Sequence, residues 1–329
     1  MADSPDLLSL PFDQFQRYSA VAEVADSLRA YLSKPQLRVL DVGGFHSTRD
    51  GQAMLPLVQF LPSDLAVATD LAESVLPNYV RASGALLPFG SETLDLVVTC
   101  DTLEHVPPPR RSTFVDELLR VASHCVVLIA PFEGEHTQRA ERTLRDYLAG
   151  YDCTHGPLEE HVDLGLPSVD NLRTMLEERG LAAIEFADGY LPNWLAMMML
   201  QLAPGTSSAF LAHLNRFYNL HFSPDDRREP AYRRVFVIAK QGHKDLLLAV
   251  SRTIDSRPLD SFPRPDFAKD LASVLEQGQA DGHARMASLE AENARLLRML
   301  EGYEQGRFIR FARWFHDWRN RLTGRSDDY

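Results

Sequence analysis

Two carboxylates and an imidazole follow one apolar run of the chain within five positions. The run covers residues 94–100, and Asp101, Glu104 and His105 come directly after it. An imidazole beside carboxylates can remove the proton of a hydroxyl that acts as a nucleophile, so His105 is the candidate general base and Glu104 its catalytic partner. A histidine that only supports its neighbours would give the same pattern, and both interpretations stay open.

The same residues are suitable ligands for a divalent metal. Carboxylate oxygens and imidazole nitrogens together bind Mg²⁺, Mn²⁺ or Zn²⁺, and such an ion would lower the pKa of a bound hydroxyl. Asp101, Glu104 and His105 would need a second imidazole, for which His161 is the candidate. A polar lid with solvated histidines is the competing interpretation of this region. The other histidines of the region are His136 and His155.

A second group of residues has the pattern of a site for a nucleotide-like ligand. An apolar run carries Asp41 and leads directly into Gly43 and Gly44. Glycines accept positive φ in a tight turn, and without a Cβ they let the backbone approach a ribose or an amino-acid group closely. Asp70 ends the next apolar run, 29 residues after Asp41, near the spacing at which βαβ folds place the acid that binds ribose hydroxyls. An ordinary turn between a strand and a helix would also contain the glycines.

The elements that carry these residues alternate between strands and helices. The apolar runs are residues 38–45, 65–70, 94–101 and 125–131, and the segments of helical periodicity lie at about 50–60 and 110–122. This alternation predicts a doubly wound α/β fold with a seven-stranded, mostly parallel sheet. Ligands of such sheets bind at the carboxyl ends of the strands, where the residues named above are placed.

Three further segments complete the predicted architecture. Phe12–Leu32 has apolar residues at the spacing of an amphipathic helix. The last two strands are predicted at residues 181–186 and 234–239, and the chain between them is much longer than a hairpin needs. Its apolar segment 194–200 predicts a helical cap that narrows the site, with extra core packing as the alternative.

The order of these motifs resembles the class I S-adenosylmethionine (SAM)-dependent methyltransferases. Val39-Leu-Asp-Val-Gly-Gly44 resembles the first motif of that family, residues 87–97 resemble its Leu-Pro-Phe stretch, and Leu103-Glu-His-Val106 resembles the motif after its fourth strand. The resemblance covers about residues 12–240 of the chain. It implies a Rossmann-like methyltransferase fold, SAM as the cofactor and a small-molecule acceptor.

The resemblance also implies roles for individual residues. Asp41, Gly43 and Gly44 would hold the methionine end of SAM, and Asp70 would bind both ribose hydroxyls. The other cofactor-binding positions that it implies are Leu71, Ser83, Gly84 and Asp101. The acid-x-x-Glu-His order is similar to the metal-binding pattern of ubiquinone-pathway O-methyltransferases and small-RNA 2′-O-methyltransferases. The corresponding metal ligands here would be Asp101, Glu104, His105 and His161.

Two departures from the family pattern leave a second function open. Phe45 and Ser47 stand where the family has glycines, and Ser83 stands where it has the acid that meets the adenine amine. The expected function is methyl transfer to a hydroxyl of a small polar acceptor, such as a sugar or a sugar nucleotide of polysaccharide biosynthesis. The alternative is a catalytically degenerate fold that binds partners or a membrane through its C-terminal helix.

Composition limits the partner class and the compartment. The 329 residues carry a net charge of −12, and nine of the arginines but only seven of the acids lie beyond residue 282. The remaining chain is therefore strongly acidic, which argues against nucleic acid as a partner. Three cysteines cannot form a disulfide framework and indicate a reducing compartment. Without a targeting segment or an apolar run long enough to span a bilayer, a cytoplasmic protein is expected.

The chain is expected to have three regions, a methyltransferase domain in residues 1–245, a proline-containing linker in residues 246–275 and a tail in residues 276–329. Apolar residues spaced alternately by three and four between residues 283 and 304, with Asn293 among them, predict a short coiled coil and a homodimer. Residues 307–325 contain six arginines and an aromatic face, which suits an anionic membrane surface or a protein partner. A helix that packs on its own domain is the alternative.

Overall fold

The computed structural model describes residues 6–48, 50–255, 264 and 266–304. The chain divides into two units, Met1–Val274 and Leu275–Tyr329. Only the first unit contains the predicted site residues.

The first unit is built on a seven-stranded sheet. Its strand order is β5-β4-β1-β6-β7-β9-β8, and all strands are parallel except β9, which runs antiparallel to both of its neighbours. β2 and β3 form a separate two-stranded antiparallel sheet. This arrangement confirms the predicted seven-stranded, mostly parallel sheet. The strands are β1 Arg38–Val42, β2 His46–Ser47, β3 Ala53–Met54, β4 Leu65–Asp70, β5 Tyr79–Arg81, β6 Leu94–Cys100, β7 Ala122–Pro131, β8 Ala182–Tyr190 and β9 Ala231–Ala239.

Helices cover both faces of the sheet and also form the cap. The helices are α1 Phe12–Leu32, α2 Pro56–Phe60, α3 Arg111–Val121, α4 Glu135–Ala149, α5 Gly156–Leu164, α6 Val169–Glu178, α7 Leu191–Leu202, α8 Ser208–His221, α9 Lys244–Asp255 and α10 Phe267–Glu304. Short 3-10 helices lie at Leu7–Ser9, Leu103–His105, Pro108–Arg110 and Ser223–Asp225. No described helix is long and apolar enough to cross a membrane.

The central strands are apolar because both of their faces are covered. Every residue of β6 is buried, and its alternate side chains enter two different cores. Leu96 and Val98 pack in the core that includes α1, α2 and α9, whereas Val97 packs in the core that includes α3 and α6. The residues after Cys100 therefore extend from a strand that is packed on both faces.

The cap is a third hydrophobic cluster between β8 and β9. Helices α7 and α8 occupy this connection, and Trp194 and Leu211 pack there against Leu144 of α4. Ser207 begins α8 because its side chain accepts a hydrogen bond from the amide of Phe210. The predicted helical cap is thus present.

The predicted domain boundary at residue 245 needs correction. Helix α9 spans that position, and its apolar face, with Leu246 and Val250, packs in the same core as α1. The first two turns of α10 also belong to the first unit, where Phe267 and Leu271 pack on the cap cluster. The compact unit therefore includes the described residues 246–255 and 266–274 of the predicted linker.

The described part of the second unit is the remainder of helix α10. Its apolar side chains at Met286, Leu289 and Leu296 are exposed. The predicted homodimer through residues 283–304 stays a prediction. The predicted membrane- or partner-binding segment 307–325 lies outside the described residues.

Candidate active site

A tight turn after β1 forms the floor of one cavity. Gly43 has a φ of +83°, and its amide donates a 2.8 Å hydrogen bond to the carbonyl of Thr69. A Cβ at Gly43 would overlap the side chain of Thr102. Only glycine satisfies both the backbone angle and the close approach.

Asp41 lies beneath this turn. Its carboxylate is fully buried, and Tyr18 Oη donates to Oδ2 at 2.7 Å. Burial raises the pKa of Asp41 to about 7. A Cβ at Gly44 would overlap the same carboxylate. Asp41 and Gly44 therefore support the turn from below, whereas Gly43 faces the cavity.

The cavity above the turn has a volume of about 430 Å³. Asp70 lies at its edge, where Oδ1 accepts hydrogen bonds from the amides of Leu71, at 2.6 Å, and Ala72, at 3.3 Å. Phe45 adds an aromatic wall, with its ring 5.7 Å from that of Tyr79. The other sequence-predicted residues that line this cavity are Gly43, Leu71, Ser83, Gly84, Asp101 and His105.

A second cavity of about 770 Å³ lies between α1, α5 and the cap. One part of its lining is polar, including Glu104 and His161, and another part is apolar, including Trp194 and Met198. Three residues line both cavities, namely His46, Asp101 and His105. The two cavities therefore meet at the carboxyl end of β6.

Asp101 is held at this junction by two buried arginines. Arg17 Nη1 donates to its carboxylate at 2.6 Å, and Arg233 donates through Nε at 2.7 Å and through Nη2 at 2.6 Å. Burial opposes ionisation of Asp101, but the two guanidinium groups outweigh it and hold the pKa well below the usual range. Asp101 also adopts a φ of +49°, uncommon for a residue with a side chain. The Asp101 carboxylate therefore stays ionised, and its hydrogen-bond donors are Arg17 and Arg233.

Glu104, His105 and His161 form a separate cluster. Each offers one ligand atom, and these atoms lie within 4.8 Å of one another. Glu104 is 1% exposed, and burial together with the charge of Asp101 raises its pKa well above the usual value. Glu104 Oε2 and His161 Nε2 are buried without a hydrogen-bond partner among the described residues.

The two histidines of this cluster have carboxylate partners. His105 Nδ1 lies 2.7 Å from Glu160 Oε2, and His161 Nδ1 lies 2.8 Å from Glu141 Oε1. Their rings are 5.0 Å apart. Of the alternatives to His161, His155 lines the second cavity and His136 is an exposed residue of α4, and neither belongs to the cluster.

Comparison with known proteins identifies the family. A family model described as a methyltransferase domain matches residues 53–129. An uncharacterized methyltransferase of Mycolicibacterium gilvum (strain PYR-GCK) is 30% identical over 198 residues, which cover 53% of this chain and 74% of that protein. The chain belongs to the class I SAM-dependent methyltransferases.

Other relatives of this methyltransferase match over shorter or more divergent regions. An uncharacterized methyltransferase of Mycobacterium sp. (strain KMS) is 33% identical over 122 residues, which cover 34% of this chain and 46% of that protein. The magnesium protoporphyrin IX methyltransferase of Synechocystis PCC 6803, solved with bound SAH, is 16% identical. That match covers 68% of this chain and 84% of the other, with a TM-score of 0.36.

Several residues of the candidate site were not predicted from the sequence. Arg17 and Arg233 lie 84 and 132 positions from Asp101 along the chain, and neither stands in a recognisable motif. His46 lies three residues after Gly43, so its position where the two cavities meet could have been predicted from its closeness to the glycine turn. Glu141 is one of three acids in the polar helix α4, and nothing in the sequence distinguished it from the other two.

Proposed function

We propose that this methyltransferase transfers a methyl group from SAM to a hydroxyl of a small polar acceptor, such as a sugar or a sugar nucleotide. The observation that supports this best is the pair of cavities that meet at His46, Asp101 and His105. A methyl group leaves sulfur by in-line attack, so donor and acceptor must approach from opposite sides of one point. The smaller cavity would hold the cofactor and the larger one the acceptor.

The smaller cavity has the features that a nucleoside with an amino-acid tail requires. The turn at Gly43 lets the backbone approach the methionine end of SAM, and Asp70, at the end of β4, would accept both ribose hydroxyls. Phe45 and Leu71 line the same cavity and would contact the adenosine moiety through their apolar side chains. Ser83 and Gly84 complete the wall on that side.

Transfer to a hydroxyl requires a place for its proton. As the new C–O bond forms, the C–S bond breaks and its electron pair stays on sulfur, which leaves neutral S-adenosylhomocysteine (SAH). The hydroxyl proton would pass to His105, which borders both cavities. Burial, together with the neighbouring His161, lowers the pKa of His105 and favours the neutral imidazole that can take up a proton.

A divalent metal fits the cluster of Glu104, His105 and His161. Glu104 Oε2 and His161 Nε2 are buried polar atoms without a partner among the described residues, and carboxylate with imidazole is a suitable donor set. In that case His105 would be a metal ligand and not the base, and the metal would assist deprotonation of the acceptor hydroxyl by lowering its pKa. Asp101 was also a candidate ligand, but its oxygens are occupied by Arg17 and Arg233.

Calorimetric titration with SAM and SAH tests the cofactor proposal without knowledge of the acceptor. We expect micromolar binding, and we expect Asp70→Ala to weaken it by about 10- to 100-fold, since hydrogen bonds to a charged group contribute about 1.5 to 3 kcal/mol. Glu73→Ala is the matched control, because Glu73 is an exposed acid three residues after Asp70 and pairs with Arg81. Absence of binding at millimolar SAM would refute the cofactor proposal and favour the alternative, a catalytically degenerate scaffold.

A further inference from the structure

The two histidines of the metal-binding cluster are supported unequally, and this difference points to an additional functional residue. We propose that Glu141 is a positioning residue that fixes His161 with Nε2 directed toward Glu104 and His105. This inference rests on the proposed metal site. It assigns to α4, which carries Glu141, a part in building that site.

Glu141 is held between two donors in a buried setting. Its side chain is 8% exposed, and that of His161 is 6% exposed. Oε1 of Glu141 lies 2.8 Å from His161 Nδ1 and accepts a hydrogen bond from Tyr232 Oη, also at 2.8 Å. Tyr232 in turn stacks on Trp194, with ring centroids 3.5 Å apart and planes 12° from parallel. The carboxylate is therefore fixed from β9 and the cap as well as from its own helix.

This arrangement decides which nitrogen of His161 is free. An ionised carboxylate only accepts hydrogen bonds, so the proton of a neutral imidazole must lie on Nδ1 where it faces Glu141. Burial and the Glu141 carboxylate raise the pKa of Tyr232 well above the usual value, so Tyr232 remains a donor to Glu141. Nε2 then presents a lone pair to the cluster, and it has no other partner among the described residues.

His105 has a carboxylate partner of a different kind. Glu160 lies at a similar distance, 2.7 Å from His105 Nδ1, but its side chain is 60% exposed. An exposed pair is screened by water and contributes little, whereas a buried bond keeps its strength. Glu141 is therefore expected to set the orientation of its histidine before any ligand binds, and Glu160 is not.

Metal titration of the SAH-bound full-length protein tests this assignment. With Co²⁺ as the probe, followed by calorimetry and by its visible absorption bands, we expect Glu141→Gln to weaken binding by about 10- to 100-fold, as loss of a carboxylate behind a metal-binding histidine does. Glu160→Gln should weaken Co²⁺ binding by less than about threefold, because the exposed pair of Glu160 and His105 contributes little. Glu159→Gln is the control, because Glu159 lies on α5 beside Glu160 but pairs with Arg145 and not with a histidine of the cluster.

The outcomes separate this inference from the proposed function. Equal effects of Glu141→Gln and Glu160→Gln would overturn the positioning role and leave the metal site standing. Absence of Co²⁺ binding by the wild-type protein would overturn the metal site and the inference together, while SAH binding would still support methyl transfer. Thermal midpoints and SAH affinity monitor folding. If Glu141→Gln does not fold, Tyr232→Phe, which keeps the stack on Trp194, must weaken Co²⁺ binding severalfold, and an unchanged affinity would refute the proposal.

Discussion

Replacement of Arg233 by methionine tests the arginine pair around Asp101. Arg233 is 2% exposed and donates three hydrogen bonds of 2.6 to 2.9 Å to the Asp101 carboxylate. Methionine has a similar length and fits an apolar environment, so the substitution removes the charge without opening a large cavity. Among the described residues, Arg17 would then be the remaining guanidinium partner of Asp101, and Arg17 also pairs with Asp13.

The expected cost is about 3 kcal/mol of unfolding free energy. Removing one partner of a buried ion pair typically costs about 3 to 5 kcal/mol, because the remaining charge stays buried. The lower end applies, because Asp101 retains Arg17 and its side chain is 17% exposed. For a unit of this size, each kcal/mol lowers the melting temperature by about 2 to 4 °C, which gives a decrease of about 6 to 12 °C.

Urea and thermal unfolding of Arg233→Met, Asp101→Asn and the double variant measure this cost. The double variant should be more stable than Arg233→Met alone, because asparagine removes the uncompensated charge. Asp101 has a depressed pKa in the folded state, so its stabilising effect is present above the unfolded value of about 3.9 and is lost as the pH falls. The difference between wild type and Arg233→Met should therefore narrow below about pH 4. A cost below about 0.5 kcal/mol, or additive effects in the double variant, would refute the reasoning.

Two further predictions concern the cap. Burial raises the pKa of Asp226 to about 7, so the folded protein keeps a proton that the unfolded chain releases above about pH 4. Wild-type stability should therefore fall as the pH rises from about 5 to about 8. In urea unfolding, Asp226→Asn should gain stability relative to wild type over that range. A chain ending at Glu276 should keep the wild-type melting temperature, whereas one ending at Asp266 should melt lower, because it loses the 2.9 Å contact between Asp270 and His221. Equal stabilities across that pH range, or equal melting of the two shortened chains, would contradict them.

The fold followed from local patterns because those patterns reflect burial. The apolar runs of strand length carried Asp41, ended at Asp70 and led into Asp101, and parallel strands covered on both faces are apolar along their whole length. The helix over Phe12–Leu32 matches the predicted bounds. A sequence pattern of this kind reflects how buried a segment is, and the burial of these segments follows from their position in the sheet.

The boundary after residue 245 was misplaced although a signal existed. Leu246, Leu247, Val250 and Ile254 lie on one face of α9 at helical spacing, and they pack in the core of the first unit. The prolines that indicated a linker lie within residues 257–265, after this face ends, so their effect on regular structure does not extend back to residue 246.

The chemical roles within the acid-x-x-Glu-His pattern could not be read from the pattern itself. Asp101 and Glu104 are both acids at the end of one strand, yet the arginine pair keeps Asp101 ionised, while burial and that same charge raise the pKa of Glu104. Environments that push two neighbouring carboxyl groups apart in pKa also give them different chemistry. The groups that cause the difference, Arg17 and Arg233, come from the first helix and the last strand of the unit, so only the folded chain brings them together. A pair of acids three residues apart can therefore be recognised in a sequence. Contacts with residues more than 80 positions away decide that Asp101 carries the fixed charge and that Glu104 is left to meet a ligand.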